Sequence, residues 1–162
     1  MNTPEIANPI TNGHSLRVLI IEDSVPDAEL SIRQLKKNGF EVRADVVETR
    51  EEFLEKVRSK PYDVVLADYA LPHWTGAEAL DLLKKEGREI PIILVTGAVG
   101  DEVAADCIKR GIADYVLKQH LARLPQAVRM ALEEKALREE AKRAEAEIAR
   151  LAAAIEQTAE AI

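Results

Sequence analysis

Short apolar runs alternate along the chain with longer segments in which apolar residues recur at helical spacing. The first run, LRVLII at residues 16–21, is continuous and rich in β-branched and aliphatic side chains. Such a run is typical of a strand buried on both faces of a parallel sheet. We predict five strands, over Leu16–Ile21, Val42–Val47, Asp63–Ala67, Ile92–Thr96 and Tyr115–Leu117. Because strands and helices alternate, the pattern predicts βαβ units and a small doubly wound parallel α/β domain.

The helical segments carry start and stop signals. Three of them begin with a hydroxyl residue followed three positions later by an acid, which is the pattern of a capping box. These pairs are Ser24 with Asp27, Thr49 with Glu52, and Thr75 with Glu78. Gly39, Pro61 and Gly87 should mark the ends of these helices, and a fourth helix should run from near Asp101 to Gly111.

Both ends of the chain depart from this alternation. Residues 1–15 are rich in Pro, Asn, Thr and Gly without periodicity, so we predict a flexible lead-in. After Arg129, where the fifth helix should end, helix-forming residues continue to Ile162 without a breaker. The predicted division is a lead-in over 1–15, a domain over 16–129 and a helical extension over 130–162.

The helical extension carries a heptad repeat of apolar and small residues. The a positions are Ala141, Ile148, Ile155 and Ile162, and the d positions are Leu137, Ala144, Leu151 and Thr158. Isoleucine at a with leucine at d favours a parallel two-stranded coiled coil, so we predict a homodimer through this seam. A long solvated helix that packs on its own domain is the alternative.

Composition limits the partners and the compartment. The 162 residues carry a net charge of −7, which argues against a dedicated nucleic-acid-binding surface. A single cysteine, Cys107, excludes an internal disulfide, so we expect a reducing cytoplasm and a core-packing role for this thiol. No apolar stretch approaches the roughly 18 residues of a membrane span, and we expect no membrane association.

Chemically distinctive residues follow the predicted strands. Glu22 and Asp23 follow the first strand, Asp68 follows the third, Thr96 ends the fourth and Lys118 follows the fifth. In a doubly wound sheet such positions converge at the ligand site beyond the carboxyl ends of the strands. Three converging carboxylates repel one another, and an all-oxygen ligand set favours Mg²⁺ as the remedy. One carboxylate could then attack phosphorus, while the lysine and the hydroxyl hold the phosphoryl oxygens.

Four stretches of the sequence closely resemble the signatures of bacterial response-regulator receiver domains. They are VLIIEDS at 18–24, VVLADYALPHWTG at 64–76, PIILVTGA at 91–98 and GIADYVLK at 111–118. The stretches occur in the order and spacing of that family and cover roughly Arg17 to Arg129. The resemblance implies a (βα)5 flavodoxin-like fold with strand order 2-1-3-4-5 and a role in two-component phosphorelay signalling.

The resemblance also implies roles for individual residues. The expected Mg²⁺ ligands are Glu22, Asp23, Asp68 and the backbone carbonyl of Ala70. Asp68 would be the phosphorylation site, Thr96 and Lys118 would contact the phosphoryl group, and Tyr115 would be the switch aromatic. The phosphoryl group would come from a histidine kinase or a histidine phosphotransfer protein, and the coiled coil would pass the change to an output domain. The chain would then be a switch that catalyses only its own phosphoryl uptake and loss, and not a turnover enzyme.

Some positions depart from the family's pattern. Gln119 stands where a proline commonly follows the lysine, and Gly97 stands where alanine is commoner. His73 and Trp74 lie in the loop after Asp68, which varies in the family, and we expect an exposed pair used in partner contact.

Two alternatives and a possible extension remain open. A receiver-like scaffold could dimerise without being phosphorylated. A phosphatase could use Asp68 as a nucleophile, but that class typically carries a second acid two residues later, where this chain has Ala70. The closing stretch LAAAIEQTAEAI is similar to the connector that leads into a PAS sensory domain in receiver-containing kinases and cyclases, so we expect a further domain in a longer protein.

Overall fold

The computed structural model describes residues 15–97 and 100–160. Its five strands are β1 (Leu16–Ile21), β2 (Val42–Val47), β3 (Val64–Ala67), β4 (Ile92–Thr96) and β5 (Asp114–Leu117). They form one sheet in the order β2-β1-β3-β4-β5, and every neighbouring pair is parallel. The predicted fold class and strand order are therefore confirmed.

Five α-helices connect or follow the strands. They are α1 (Val25–Lys37), α2 (Arg50–Ser59), α3 (Glu78–Lys85), α4 (Asp101–Arg110) and α5 (Leu124–Glu160). A short 3-10 segment, Lys118–Arg123, joins β5 to α5. The helices end where Gly39, Gly87 and Gly111 follow them, and Gly111 takes the left-handed conformation (φ 118°) that lets the chain turn from α4 into β5.

The sheet separates two hydrophobic clusters. One face is covered by α1 and α5, whose Leu35 and Val128 pack with alternate residues of the strands. The other face is covered by α2, α3 and α4, and it includes Phe53, Leu83 and Cys107. Because both faces of the sheet are buried, the continuous apolar runs of β1 and β4 point side chains into a core on each side. Because helices cover both faces of the sheet, polar groups can come together only at its edges, and the carboxyl ends of the parallel strands form one of them.

Two of the three predicted capping boxes begin helices as expected, and the third does not. The hydroxyls of Ser24 and Thr49 accept hydrogen bonds from the N–H groups of the residues three positions later, at the starts of α1 and α2. In the third case the carboxylate of Glu78 accepts from the Thr75 N–H at 2.6 Å, but α3 begins only at Glu78 and its N-cap is Ala77. Thr75 instead pairs with Ala70 in an isolated antiparallel bridge, so the backbone there is committed to the loop.

The long C-terminal helix is present. It runs for 37 residues, and its buried positions end at Ala131. Farther along, the Lys142 ammonium lies 2.7 Å from the carboxylate of Glu89, in the loop before β4. At about 1.5 Å per residue, α5 spans about 55 Å, and most of its length lies beyond Ala131, its last buried residue.

The proposed coiled-coil seam is exposed along α5. The large apolar side chains Leu137, Ile148, Leu151 and Ile155 are 48–70% exposed, and Ala141, Ala144 and Thr158 are exposed as well. Ile162 and residues 1–14 of the predicted lead-in lie outside the described residues. Among the described helices, none combines the length and apolar character needed to cross a bilayer.

Candidate functional site

The register of β1 and β3 places two acids side by side. Ile21 is paired with Ala67, so the residues that follow them, Glu22 and Asp68, leave the sheet at the same level. The Asp68 N–H donates to the Ile21 carbonyl at 2.9 Å, which continues the hydrogen-bonded ladder to the end of the strand. Glu22 is likewise held, because its N–H donates to the Val47 carbonyl of β2 at 3.0 Å. Both acids are therefore fixed by the backbone of the sheet.

Three carboxylates form a cluster at this edge. Glu22, Asp23 and Asp68 each offer an oxygen, and these oxygens lie within 4.8 Å of one another. Glu22 and Asp68 are buried, whereas Asp23 is exposed, so the cluster opens toward solvent on one side. An all-oxygen set of this size and charge fits the preference of Mg²⁺, which keeps several water ligands and needs few carboxylates. The residues present thus fit the ion that the sequence predicts.

Lys118 is the cation of this site. Its side chain is 24% exposed and its ammonium contacts three carboxylates at 2.9 Å each. The three partners are Glu22 Oε2, Asp27 Oδ2 and Asp68 Oδ2. An ammonium has three protons to donate, so these contacts can use its whole donor capacity. Lys118 offsets the repulsion between acids that come from β1, α1 and β3.

The electrostatics of the site shift two pKa values upward. Burial raises the pKa of the Glu22 carboxyl above its ordinary value, and the hydrogen bonds from Lys118 and the Ser24 N–H only partly oppose this. Burial acts to lower the pKa of Lys118, but its hydrogen bonds to the carboxylates outweigh burial and hold the pKa above its ordinary value. Lys118 is therefore a cation throughout the neutral range.

The remaining predicted phosphoryl contact also lies at Asp68. Thr96, at the end of β4, is 1% exposed, and its hydroxyl donates to Asp68 Oδ1 at 3.1 Å. Tyr115 is half buried and packs against the cluster covered by α2, α3 and α4. Thr96 thus contacts the Asp68 carboxylate directly, whereas the switch role of Tyr115 stays a prediction.

The loop after Asp68 folds back tightly on it. The Ala70 N–H donates to Asp68 Oδ1 at 3.2 Å, and Ala70 pairs with Thr75 across the loop. A Cβ placed on Gly76 would lie 2.4 Å from the Asp68 carbonyl oxygen, so only glycine lets the chain approach this closely. The assignment of the Ala70 carbonyl as a metal ligand stays a prediction.

The expectation that Trp74 is exposed is wrong. Its side chain is 6% exposed, its indole Nε1 donates to the Glu48 carbonyl at 3.0 Å, and its ring lies 5.8 Å from that of Phe53. An indole in a loop can be buried when its N–H finds a carbonyl partner, and here Glu48, two residues before α2, supplies one. Only His73 of the pair is exposed.

Asp27 belongs to the site, although the sequence pattern predicts for it only a capping role. It lies in the first turn of α1, and its carboxylate is 2.9 Å from the Lys118 ammonium. That hydrogen bond holds the pKa of Asp27 below its ordinary value. Asp23 precedes the N-cap of α1, so helical spacing does not link it to Asp27, and the sequence offers no signal for the contact with Lys118.

Known proteins are similar to this chain in sequence over the region that contains the site. The family model described as the response regulator receiver domain matches residues 18–129. The phosphate regulon transcriptional regulatory protein PhoB of Klebsiella pneumoniae is 31% identical over 106 residues, which are 63% of this chain and 44% of that protein. The transcriptional regulatory protein ZraR of Klebsiella oxytoca is 28% identical over 107 residues, which are 66% of this chain and 24% of that protein.

A solved structure shares the fold. The CheY-like response regulator receiver domain protein of Methanospirillum hungatei JF-1 superposes with a TM-score of 0.65 at 25% identity, covering 77% of this chain and 99% of that one. The chain thus aligns with nearly the whole of that structure, but with less than half of each of the two curated relatives.

Proposed function

The chain belongs to the response regulator receiver domain family, and on this premise we propose that Asp68 accepts a phosphoryl group in two-component signalling. The observation that carries the proposal is the convergence of Thr96 and Lys118 on the Asp68 carboxylate. Thr96 contacts Oδ1 at 3.1 Å and Lys118 contacts Oδ2 at 2.9 Å. An acid flanked in this way has a hydroxyl and a cation ready for the oxygens of an incoming phosphoryl group.

Asp68 is suited to act as the nucleophile. It lies just after the carboxyl end of β3 and is 8% exposed. Its backbone N–H is hydrogen-bonded to β1. In the proposed step a carboxylate oxygen of Asp68 forms a bond to phosphorus while the bond from phosphorus to the donor's imidazole nitrogen breaks. The imidazole leaves with that electron pair, and the product is an aspartyl phosphate.

The acid cluster supports a metal requirement for this step. Glu22, Asp23 and Asp68 would hold Mg²⁺, together with the backbone carbonyl of Ala70 and water. Mg²⁺ bound there would reduce the repulsion between the carboxylates and the incoming phosphoryl oxygens. Of the three acids, Glu22 and Asp23 do not themselves form the bond to phosphorus.

Lys118 and Thr96 would stabilise the charge on the transferred group. The ammonium of Lys118 is ionised at neutral pH and can exchange a carboxylate partner for a phosphoryl oxygen. Thr96 can turn its hydroxyl from Asp68 Oδ1 to the phosphoryl group, a movement that Tyr115 would follow as the switch residue. Such a change biases a two-state domain and does not turn over a substrate, so the chain would be a switch and not an enzyme.

Membership of the family supports a histidine kinase or a phosphotransfer protein as the phosphoryl donor. Receiver domains are phosphorylated by histidine kinases or phosphotransfer proteins, and a curated relative is the hybrid signal transduction histidine kinase G of Dictyostelium discoideum.

We propose that α5 carries the change outward as a parallel dimer. The exposed stripe Leu137, Ile148, Leu151 and Ile155 supports this, since such side chains are normally covered when a helix persists this far from its domain.

The experiment compares intact masses after incubation with Mg²⁺ and acetyl phosphate. The parent chain should gain one phosphoryl group, and Asp68→Asn should gain none. Asp81→Asn makes the same chemical change at an exposed carboxylate on α3 and should gain the group like the parent. If no variant gains mass although circular dichroism shows folded protein, the dimerisation scaffold becomes the better account.

A further inference from the structure

The Lys118 ammonium has more carboxylate partners than the phosphoryl chemistry requires. Glu22 and Asp68 belong both to the acid cluster and to the contacts of Lys118. Asp27 contacts Lys118 at the same 2.9 Å distance but is outside the cluster of oxygens within 4.8 Å. Asp27 therefore contacts the lysine but is not one of the three carboxylates expected to bind the metal. Its side chain is 36% exposed, compared with 5% for Glu22.

We propose that Asp27 is a positioning residue that holds Lys118 in the resting site and competes with the phosphoryl group for that ammonium. This inference rests on the proposed phosphoacceptor function and goes beyond it, because it assigns the resting partner of the lysine.

The geometry gives the competition its direction. The Lys118 ammonium donates to Asp27 and Asp68 and forms a third ion pair with Glu22, so a phosphoryl oxygen takes the place of one of these contacts. When a divalent cation binds Glu22 and Asp68, it neutralises part of their charge and weakens their attraction for the Lys118 ammonium. Asp27 does not bind the cation, so its attraction for the ammonium is retained. Asp27 also places a negative charge near a group that brings about two more.

The position of Asp27 on α1 makes it a fixed competitor. The Asp27 N–H donates to the Ser24 hydroxyl in the first turn of the helix, so its backbone is anchored independently of its carboxylate. Replacing the carboxylate by an amide keeps this anchor and the side chain's shape while removing the charge. The phosphorylated state should gain from Asp27→Asn, since Lys118 is released and one repulsive charge is removed.

The test measures two affinities on the full chain by isothermal titration calorimetry. One is for Mg²⁺ alone, and the other is for beryllofluoride at saturating Mg²⁺, since beryllofluoride binds a carboxylate in the shape of a phosphoryl group. For Asp27→Asn, the beryllofluoride affinity should rise about threefold to tenfold, in the range of one charge-assisted contact. Its Mg²⁺ affinity should stay the same or fall, because the amide removes negative charge near the metal set.

A rise in beryllofluoride affinity without a rise in Mg²⁺ affinity separates positioning from a structural defect, which would weaken both affinities. Asp27→Glu keeps the charge and should bind beryllofluoride like the parent. Glu29→Gln removes one charge from an exposed position of the same helix and should change neither affinity.

Beryllofluoride affinity that is unchanged or weaker in Asp27→Asn, in a parent that binds it, would overturn the role of Asp27 and leave the phosphoacceptor function intact. A parent that binds neither beryllofluoride nor a phosphoryl group would overturn the function and this inference with it.

Discussion

Lys118 Nζ lies 2.9 Å from Asp68 Oδ2, although Asp68 follows β3 and Lys118 follows β5. The strand between them is β4, and its last residue, Thr96, contacts the other oxygen of the same carboxylate. With Glu22 after β1, which also contacts Lys118, the site is assembled from four adjacent strand ends and exists only when the sheet is complete. Local changes at this edge should therefore affect both the stability of the fold and its chemistry.

Replacing Lys118 by methionine should destabilise the fold. The change leaves Glu22, Asp27 and Asp68 without their shared cation, and we expect the free energy of unfolding to fall by about 1–3 kcal/mol near neutral pH. The raised pKa of Lys118 means that its contribution is present below its unfolded pKa of about 10.5 and is lost only as the pH rises through the higher folded value. Urea unfolding measures the difference, and added Mg²⁺ should restore part of it.

Lys60→Met is the matched control for that experiment. Lys60 pairs with Asp45 at 3.4 Å, and its side chain is 54% exposed, so its loss should change the free energy by less than about 0.5 kcal/mol. Equal effects of the two substitutions would show that Lys118 has no special electrostatic role.

The closeness of Gly76 to Asp68 predicts a second effect on stability. In Gly76→Ala the new Cβ would lie 2.4 Å from the Asp68 carbonyl oxygen and 3.1 Å from Ala67 Cβ. Because backbone must move, we expect a loss of about 1–3 kcal/mol in urea unfolding, together with slower phosphoryl uptake. At Gly97 a Cβ meets nothing within 4 Å in the described part of the chain, so Gly97→Ala should leave the stability within about 0.5 kcal/mol. A parent-like Gly76→Ala would refute the close approach.

The hydrogen bond between Tyr62 and Asp45 predicts a pH-dependent effect. The Tyr62 hydroxyl donates to Asp45 Oδ2 at 2.6 Å, and this bond is the main reason that the pKa of Asp45 lies below 3.8. A lowered folded pKa gives stability that is present above the unfolded pKa and is lost as the pH falls through the folded value. Tyr62→Phe should therefore cost about 1–2 kcal/mol near neutral pH, and much of that cost should disappear in acid.

Urea unfolding of Tyr62→Phe across the acid range tests this sign. Tyr69→Phe makes the same chemical change away from Asp45 and should not show the same dependence. A cost that stays constant as Asp45 is protonated would mean that the charge of Asp45 is not what Tyr62 stabilises.

The apolar stripe of α5 predicts a dimer that one substitution can break. Ile148 is 67% exposed and occupies an a position, where Ile148→Glu would place two carboxylates against each other in a parallel pair. Sedimentation equilibrium should find the parent as a dimer and Ile148→Glu as a monomer. Ala146→Glu adds the same charge at an outward heptad position and should remain dimeric. A parent that is monomeric at all concentrations would favour the single-helix alternative.

Much of the fold and site could be predicted because their signals are local. The strands β1, β2 and β4 have the residues that the sequence predicts, and β1 and β4 are continuous apolar runs. The polar residues that follow the strands stand out against those runs, and parallel strands necessarily bring their carboxyl ends to one edge. That geometry is sufficient to predict that Asp68 and Lys118 lie together.

The remainder depends on contacts between distant elements. Asp27 reaches Lys118 only because α1 packs beside the segment that follows β5, a relationship that no pattern within α1 contains. Trp74 is buried because Glu48 and Phe53 lie next to its loop. Thr75 matches a capping box, but its backbone forms a β-bridge with Ala70 and does not begin the helix. In the first two cases tertiary packing decides the outcome, and in the third a contact within the same loop does.

The most direct measurement of the central claim identifies the phosphorylated residue chemically. The parent chain is incubated with Mg²⁺ and acetyl phosphate and then reduced with borohydride, which converts an aspartyl phosphate to homoserine and leaves free carboxylates unchanged. Sequencing the proteolytic fragment that spans Asp63, Asp68 and Asp81 by mass spectrometry locates the product. Homoserine at position 68 alone is the predicted result, and homoserine at another acid, or at none in a sample that gained phosphoryl mass, would contradict the account.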